Sequence, residues 1–102
     1  THGATVPYLM GRLDSMLEYF GGADAIQEPS RFLKKLYMDT VVYEPEPLQW
    51  CLSLMGADQL VLGTDHPYGA WRLPIQLLEE ATCSDSERQQ IQHGNAQRLF
   101  RL

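Results

Sequence analysis

An aspartate at the end of an apolar strand is the residue whose type and position best predict chemistry. Residues 60–64 are mostly apolar, and Asp65 follows them directly, before His66 and Pro67. Apolar residues on both faces are typical of a buried parallel strand, and barrels of such strands carry their chemistry at the carboxyl ends. A carboxylate there is costly to bury unless a metal ion, a cation or several hydrogen bonds receive it. We therefore predict that Asp65 is functional; the alternative is that it caps a turn before Pro67.

Helical and strand patterns alternate along the chain and would position this aspartate. After a loop over residues 1–7, the pattern predicts helices over 8–20, 29–35, 45–55, 73–82 and 84–92, strands over 36–42 and 60–64, and a last helical turn over 96–100 beyond a break at 94–95. Strands that alternate with helices predict βα units and a parallel sheet. Asp39 lies inside the first strand, and we expect a structural, hydrogen-bonded acid there rather than a second metal ligand.

Two strands are too few for a parallel sheet that stands alone, because both of its edges would be exposed. A complete (β/α)8 barrel needs about 250 residues, whereas this chain has 102. We therefore predict an α/β fold in which residues 1–102 form the closing, C-terminal portion of one barrel domain, incomplete on its own.

Two apolar stripes at helical spacing are expected to be core. They are Leu9, Leu13, Met16, Leu17 and Phe20 in the first helix, and Leu48, Cys51, Leu52 and Met55 in the third. Cys51 lies far from Cys83 in sequence, and the two have no metal-type spacing. A buried free thiol in a reducing, cytoplasmic compartment is favoured over a disulfide.

The composition argues against nucleic acid and membranes as partners. The formal net charge is −5, and basic residues cluster only at Lys34 and Lys35. No apolar run approaches the roughly 18 residues that a membrane span needs, and no signal peptide is expected at the start.

Four segments of the chain together resemble the amidohydrolase-2 family, which includes aminocarboxymuconate-semialdehyde decarboxylase and the resorcylate-type aryl decarboxylases. The segments are residues 2–12, which resemble the family's histidine-glycine loop after the sixth barrel strand, and residues 37–45, 56–68 and 94–100. They occur in the family's order and span nearly the whole chain. The resemblance implies a metal-dependent (β/α)8 barrel with its active site at the barrel mouth.

The resemblance also implies roles for individual residues. Asp65 would be a metal ligand that also handles a proton, and His2 would assist the activation of a metal-bound water. Arg12 would bind a substrate carboxylate in a neighbouring subunit's site, which implies a homo-oligomer. His66 either lines the substrate pocket or packs. The alternatives are a loop histidine without a task at His2 and a surface cation at Arg12.

The chain departs from the family's pattern in two places. The loop from His2 to Pro7 is one residue short, and the His-x-His of strand one and the histidine of strand five are absent. A catalytic zinc or manganese site usually takes at least three protein ligands, so a remaining N-terminal barrel segment is an expected partner.

We predict a metal-dependent, non-oxidative decarboxylase of a small unsaturated or aromatic carboxylic acid, with zinc favoured over manganese. One alternative is a hydrolase or hydratase of the same superfamily. The other is an inactive fragment that acts as a folding or interaction module.

Overall fold

The computed structural model describes residues 5–22, 28–69 and 72–102, so His2 lies outside the described residues. The order of elements is α1 (Thr5–Phe20), a 3-10 helix (Pro29–Lys35), β1 (Met38–Asp39), α2 (Pro45–Met55), a second 3-10 helix (Ala57–Gln59), β2 (Leu60–Val61), α3 (Arg72–Glu80), α4 (Asp85–Gln89), a π-helix (Gln90–Gly94) and α5 (Asn95–Phe100). Within these described ranges every helix is too short or too polar to span a lipid bilayer.

The two strands pair in parallel, as predicted, but they are shorter than predicted. Met38 pairs with Leu60 and Asp39 with Val61, and the backbone N–H of Thr40 donates to the carbonyl of Val61 at 3.0 Å. Strand β1 ends early because the chain turns on itself. The N–H of Val42 donates to the carbonyl of Thr40 at 2.8 Å instead of to a neighbouring strand.

The core lies between this strand pair and the helices that follow each strand. The predicted stripe of α2 is confirmed, since Leu48, Cys51 and Met55 are buried and Leu52 packs against them. Residues of α3 and of the π-helix complete the cluster with Leu77, Leu78 and Ile91. Cys51 and Cys83 are both free thiols, as favoured, and burial raises the pKa of Cys51.

The predicted core stripe of α1 is wrong for most of its members. Leu9, Leu13 and Met16 are each about 40% exposed, and Phe20 is 84% exposed. The helix also begins at Thr5 rather than after Pro7, because a proline in the first turn lacks only an N–H that has no helical partner there. Contact with the core comes from the N-terminal half of the helix, where Pro7 is buried and Val6 and Met10 pack against the core cluster.

The predicted helix break at Gly94 and Asn95 is also wrong. Gly94 has helical dihedral angles (φ −60°, ψ −41°), and a π-helix joins α4 to α5 without interruption. The predicted start of α4 is confirmed by a capping box. The Ser84 hydroxyl accepts from the N–H of Glu87 at 3.2 Å, and the Glu87 carboxylate accepts from the N–H of Ser84 at 2.8 Å. The N–H and the hydroxyl of Ser84 both donate to the Glu87 carboxylate, and these two hydrogen bonds lower the pKa of Glu87.

The C-terminal helices hold the outer edge of β2. The carbonyl of Ile91, in the π-helix, accepts from the N–H of Leu62 at 3.0 Å. Asn95 is 2% exposed, and its Nδ2 donates to the carbonyls of Ala57 and Leu60 at 2.7 Å each. Polar groups that would pair with a further strand are satisfied here by a helix, and β2 is fixed in place just before Asp65.

We expect Asn95→Leu to destabilise the full-length protein, because the leucine fills the space but offers no N–H donor. The carbonyl of Leu60 would lose its side-chain donor, and the carbonyl of Ala57 would keep only the N–H of Leu60. We expect a loss of about 1–3 kcal/mol. The measurement is the free energy of unfolding from urea titration. Gln97→Leu, which also replaces a side-chain amide with leucine but at an exposed position of α5, is the control and should change this free energy by no more than about 0.5 kcal/mol. Equal stabilities of the two variants would contradict the role of Asn95.

Candidate functional site

Asp65 lies four residues beyond the last paired residue of β2, at the carboxyl end of the strand pair. Its backbone is left-handed (φ 55°), a conformation that aspartate tolerates better than most residues. Its carbonyl accepts from the N–H groups of Tyr68 and Gly69, both at 2.8 Å, across the cis peptide bond between His66 and Pro67. The turn is therefore closed by the main chain of Asp65, and its carboxylate is directed elsewhere.

The carboxylate of Asp65 meets a phenol from the neighbouring strand end. The hydroxyl of Tyr43, in the loop after β1, donates to Oδ2 of Asp65 at 3.3 Å. Desolvation raises the pKa of Tyr43, and the charge of Asp65, its hydrogen bond and the charge of Asp39 add to the effect. Tyr43 was not predicted from the sequence. The available signal was its position directly after the predicted strand 36–42, which pairs with the strand that leads to Asp65.

Small residues allow the two strand ends to approach each other closely. A Cβ atom at Gly69 would lie 2.9 Å from the Tyr43 hydroxyl and 3.0 Å from Oδ2 of Asp65. The N–H of Gly63 donates to the hydroxyl of Thr40 at 3.2 Å, and Thr40 is 1% exposed. The position of Asp65 thus depends on groups from both strand ends.

Asp39 accepts a hydrogen bond within its own strand end. Its Oδ1 accepts from the N–H of Val41 at 3.0 Å, which shapes the turn after β1. This contact is the kind expected of a structural acid, and it leaves Asp65 as the stronger candidate for an oxygen ligand.

The other predicted site residues differ in how close they lie to Asp65. His66 is exposed and adjoins Asp65. Arg12 is exposed on α1, and among the described residues no hydrogen bond or ion pair joins it to Asp65. His2 falls in the part of the chain outside the description. The structure therefore brings together Asp65, its neighbour His66 and Tyr43.

The donor set fits one ligand of a metal site rather than a whole one. Across residues 5–22, 28–69 and 72–102, no three histidine, cysteine or acidic side chains are arranged to hold a metal ion. A catalytic metal usually takes at least three protein ligands. A carboxylate oxygen at a strand end suits zinc or manganese as one of these.

Comparisons with known proteins all indicate the same family. The family model described as amidohydrolase matches residues 3–102. The 2-amino-3-carboxymuconate-6-semialdehyde decarboxylase of Dictyostelium discoideum is 28% identical over an alignment of 99 residues, which covers 92% of this chain and 28% of the relative. The chain thus spans little more than a quarter of that relative's length.

Solved structures of about three times this length contain the same fold. The apo form of Metarhizium anisopliae IDCase superposes with a TM-score of 0.77 at 29% identity, covering 98% of this chain and 32% of that one. A dihydroxybenzoic acid decarboxylase of Polaromonas sp. JS666, with bound manganese and 2-nitroresorcinol, gives a TM-score of 0.79 at 25% identity, covering 99% and 32%. The predicted fold class, an α/β portion of a (β/α)8 barrel, is confirmed.

Proposed function

Because the chain belongs to the amidohydrolase family, we propose that it forms the C-terminal part of a metal-dependent decarboxylase barrel. The observation that carries the proposal is the Asp65 carboxylate, which lies at the carboxyl end of the parallel strand pair and is contacted by Tyr43. Active sites of (β/α)8 barrels lie at this end of the strands. Two of the similar proteins are decarboxylases by name, which favours release of carbon dioxide as the reaction.

The proposed substrate is a small aromatic or unsaturated carboxylic acid, and the proposed cofactor is a divalent metal ion. Manganese is bound in the Polaromonas decarboxylase, and zinc is the other candidate for this chain. Asp65 would be one ligand, and the others would come from barrel strands outside the described residues. When bound, such an ion supplies Lewis-acid polarisation and orients the substrate.

The residues of this chain have separate tasks in the proposed reaction. Breaking the bond to the carboxyl group leaves an electron pair on carbon, and a proton must then replace the carbon dioxide that departs. Asp65 would carry that proton, with His2 assisting, since the pKa of a histidine is ordinarily near neutrality. His66 would line the substrate pocket beside Asp65.

We further propose that α1 meets another subunit. Leu9, Leu13 and Met16 are exposed on the same helix as Arg12. An apolar stripe of this kind is typical of a helix that packs against another surface. Arg12 would then reach the neighbouring site and bind a substrate carboxylate through two parallel hydrogen bonds.

A test of the function uses the full-length protein, with elemental analysis and product analysis. We expect about one zinc or manganese ion per chain and carbon dioxide release from a dihydroxybenzoate or from 2-amino-3-carboxymuconate-6-semialdehyde. A protein that holds the metal but converts family substrates without releasing carbon dioxide would be a hydrolase or hydratase. A full-length protein without metal would contradict the proposal.

The second candidate is an inactive fragment that acts as a folding or interaction module. The observation in its favour is that the described residues contain no group of three metal-binding side chains. We expect the isolated 102-residue chain to associate with increasing concentration in sedimentation experiments. A compact monomer that catalyses the reaction by itself would exclude this candidate.

A further inference from the structure

Tyr43 is the polar side chain that reaches Asp65 from the neighbouring strand end. We propose that Tyr43 is a positioning residue, whose hydroxyl holds Oδ2 of Asp65 and thereby presents the carboxylate to the metal ion in a fixed orientation. This inference rests on the proposed function, because it assigns a purpose to a contact at the same site. It adds a residue to that site which lies outside the ligand set.

The contact has the chemistry of an orienting hydrogen bond. A phenol hydroxyl donates one proton, and a bond to an ionised carboxylate is stronger than one between neutral groups. Oδ2 accepts from Tyr43 at 3.3 Å. Bonds of this kind are often long before the metal or substrate is bound and tighten afterwards.

Three further contacts restrict the pair. The carbonyl of Asp65 is held by the N–H groups of Tyr68 and Gly69, so its backbone cannot rotate freely. Gly69 packs directly on both partners, since a Cβ atom there would come within 3.0 Å of Oδ2 and 2.9 Å of the Tyr43 hydroxyl. Gly69 therefore borders the carboxylate on one side, and the hydrogen bond from Tyr43 further limits the rotation of the carboxylate.

If Tyr43 served only in packing, its hydroxyl would not be needed. Tyr43 is 40% exposed, and its hydroxyl meets a carboxylate rather than a buried carbonyl. Removal of the oxygen should change stability little, as for most changes at exposed positions. An effect on metal binding without an effect on stability would separate positioning from packing.

The test compares Tyr43→Phe with Tyr68→Phe in the full-length protein stripped of metal. Both variants lose one phenol oxygen, but Tyr68 is 92% exposed and its side chain is not part of the proposed site. Free Mn²⁺ is measured by electron paramagnetic resonance during titration. We expect Tyr43→Phe to weaken Mn²⁺ binding roughly 10–100-fold, as is typical when a partner of a metal ligand is removed. Tyr68→Phe should bind as the wild type does.

Asp65→Asn, titrated in parallel, distinguishes the two levels of the hypothesis. If Asp65→Asn loses Mn²⁺ while Tyr43→Phe binds it normally, the positioning role is wrong and the proposed function stands. If Asp65→Asn binds Mn²⁺ as tightly as the wild type, both are wrong. Should Tyr43→Phe fold poorly, Gly69→Ala replaces it, because its methyl group would displace the same carboxylate. Unchanged binding by a folded Gly69→Ala protein would also overturn the inference.

Discussion

Asp65→Asn in the full-length protein is expected to abolish both metal retention and turnover. Asparagine keeps the size of the side chain and tolerates the left-handed backbone at this position (φ 55°). It loses the negative charge that would bind the ion and the oxygen that would carry a proton. The loss of metal affinity should exceed the roughly 10–100-fold that follows removal of a ligand's hydrogen-bond partner. Elemental analysis after dialysis and an assay for carbon dioxide measure the two effects.

Asp58→Asn is the matched control for this experiment. Asp58 is exposed in the 3-10 helix before β2, so the variant loses the same charge seven residues earlier. We expect it to retain its metal and its rate. Asp65→Ala should resemble Asp65→Asn in activity but lose more stability, because alanine is strained in a left-handed backbone. Metal content and turnover at wild-type levels in Asp65→Asn would refute the assignment of Asp65.

Asp65 could be singled out from the sequence because its signals are local. An apolar run, a carboxylate and a proline follow one another within eight residues, and the parallel pairing of β1 with β2 agrees with them. Tyr43 could not be found this way. Its contact with Asp65 spans 22 residues of sequence and depends on how the two strand ends turn. Only the packed structure shows that the absence of a Cβ atom at Gly69 leaves room for the phenol to meet the carboxylate.

The wrong predictions for α1 and α5 have one cause. Tertiary contacts determine which side chains are buried and where a helix ends, and local sequence patterns do not contain them. The apolar stripe of α1 correctly predicts an amphipathic helix. Burial also requires a packing partner, and the described residues leave Leu9 and Leu13 about 40% exposed. Glycine and asparagine commonly end helices. Asn95 instead continues one, because its side chain gains two hydrogen bonds to the backbone around β2.

The segment at 94–100, which belongs to the family resemblance, also has a structural role. The motif at 94–100 carries part of the family resemblance, and its asparagine fixes the strand that leads to Asp65. Arg98 extends this arrangement by donating to Oδ1 of Asn95 at 3.1 Å and to the carbonyl of Asp58 at 2.9 Å. A segment 30 residues beyond the candidate ligand is thus connected to it through the backbone of β2.

Gly63→Ala is expected to disturb the site from within the strand pair and to cost about 1–3 kcal/mol of stability. A Cβ atom at position 63 would lie 2.8 Å from Cγ2 of Val41 and 2.9 Å from Cβ of Asp39. The Cβ of Asp39 is bonded to its backbone, so it can retreat only if β1 moves. The ends of the two strands should separate just before Tyr43 and Asp65. Urea unfolding and Mn²⁺ titration of the full-length protein measure both consequences.

Gly11→Ala makes the same substitution where space is open, and it should have the opposite effect. Nothing lies within 4 Å of a Cβ atom at Gly11, which is inside α1. Alanine there should stabilise the helix by about 0.5–1 kcal/mol, because glycine loses more backbone entropy on folding.

Val41→Ala in the Gly63→Ala background should recover only part of the loss, since it relieves the contact with Cγ2 but leaves the contact with Asp39. Full recovery would mean that Asp39 does not limit the approach of the strands; no loss at all from Gly63→Ala would mean that the strand ends are not held closely enough to position Asp65.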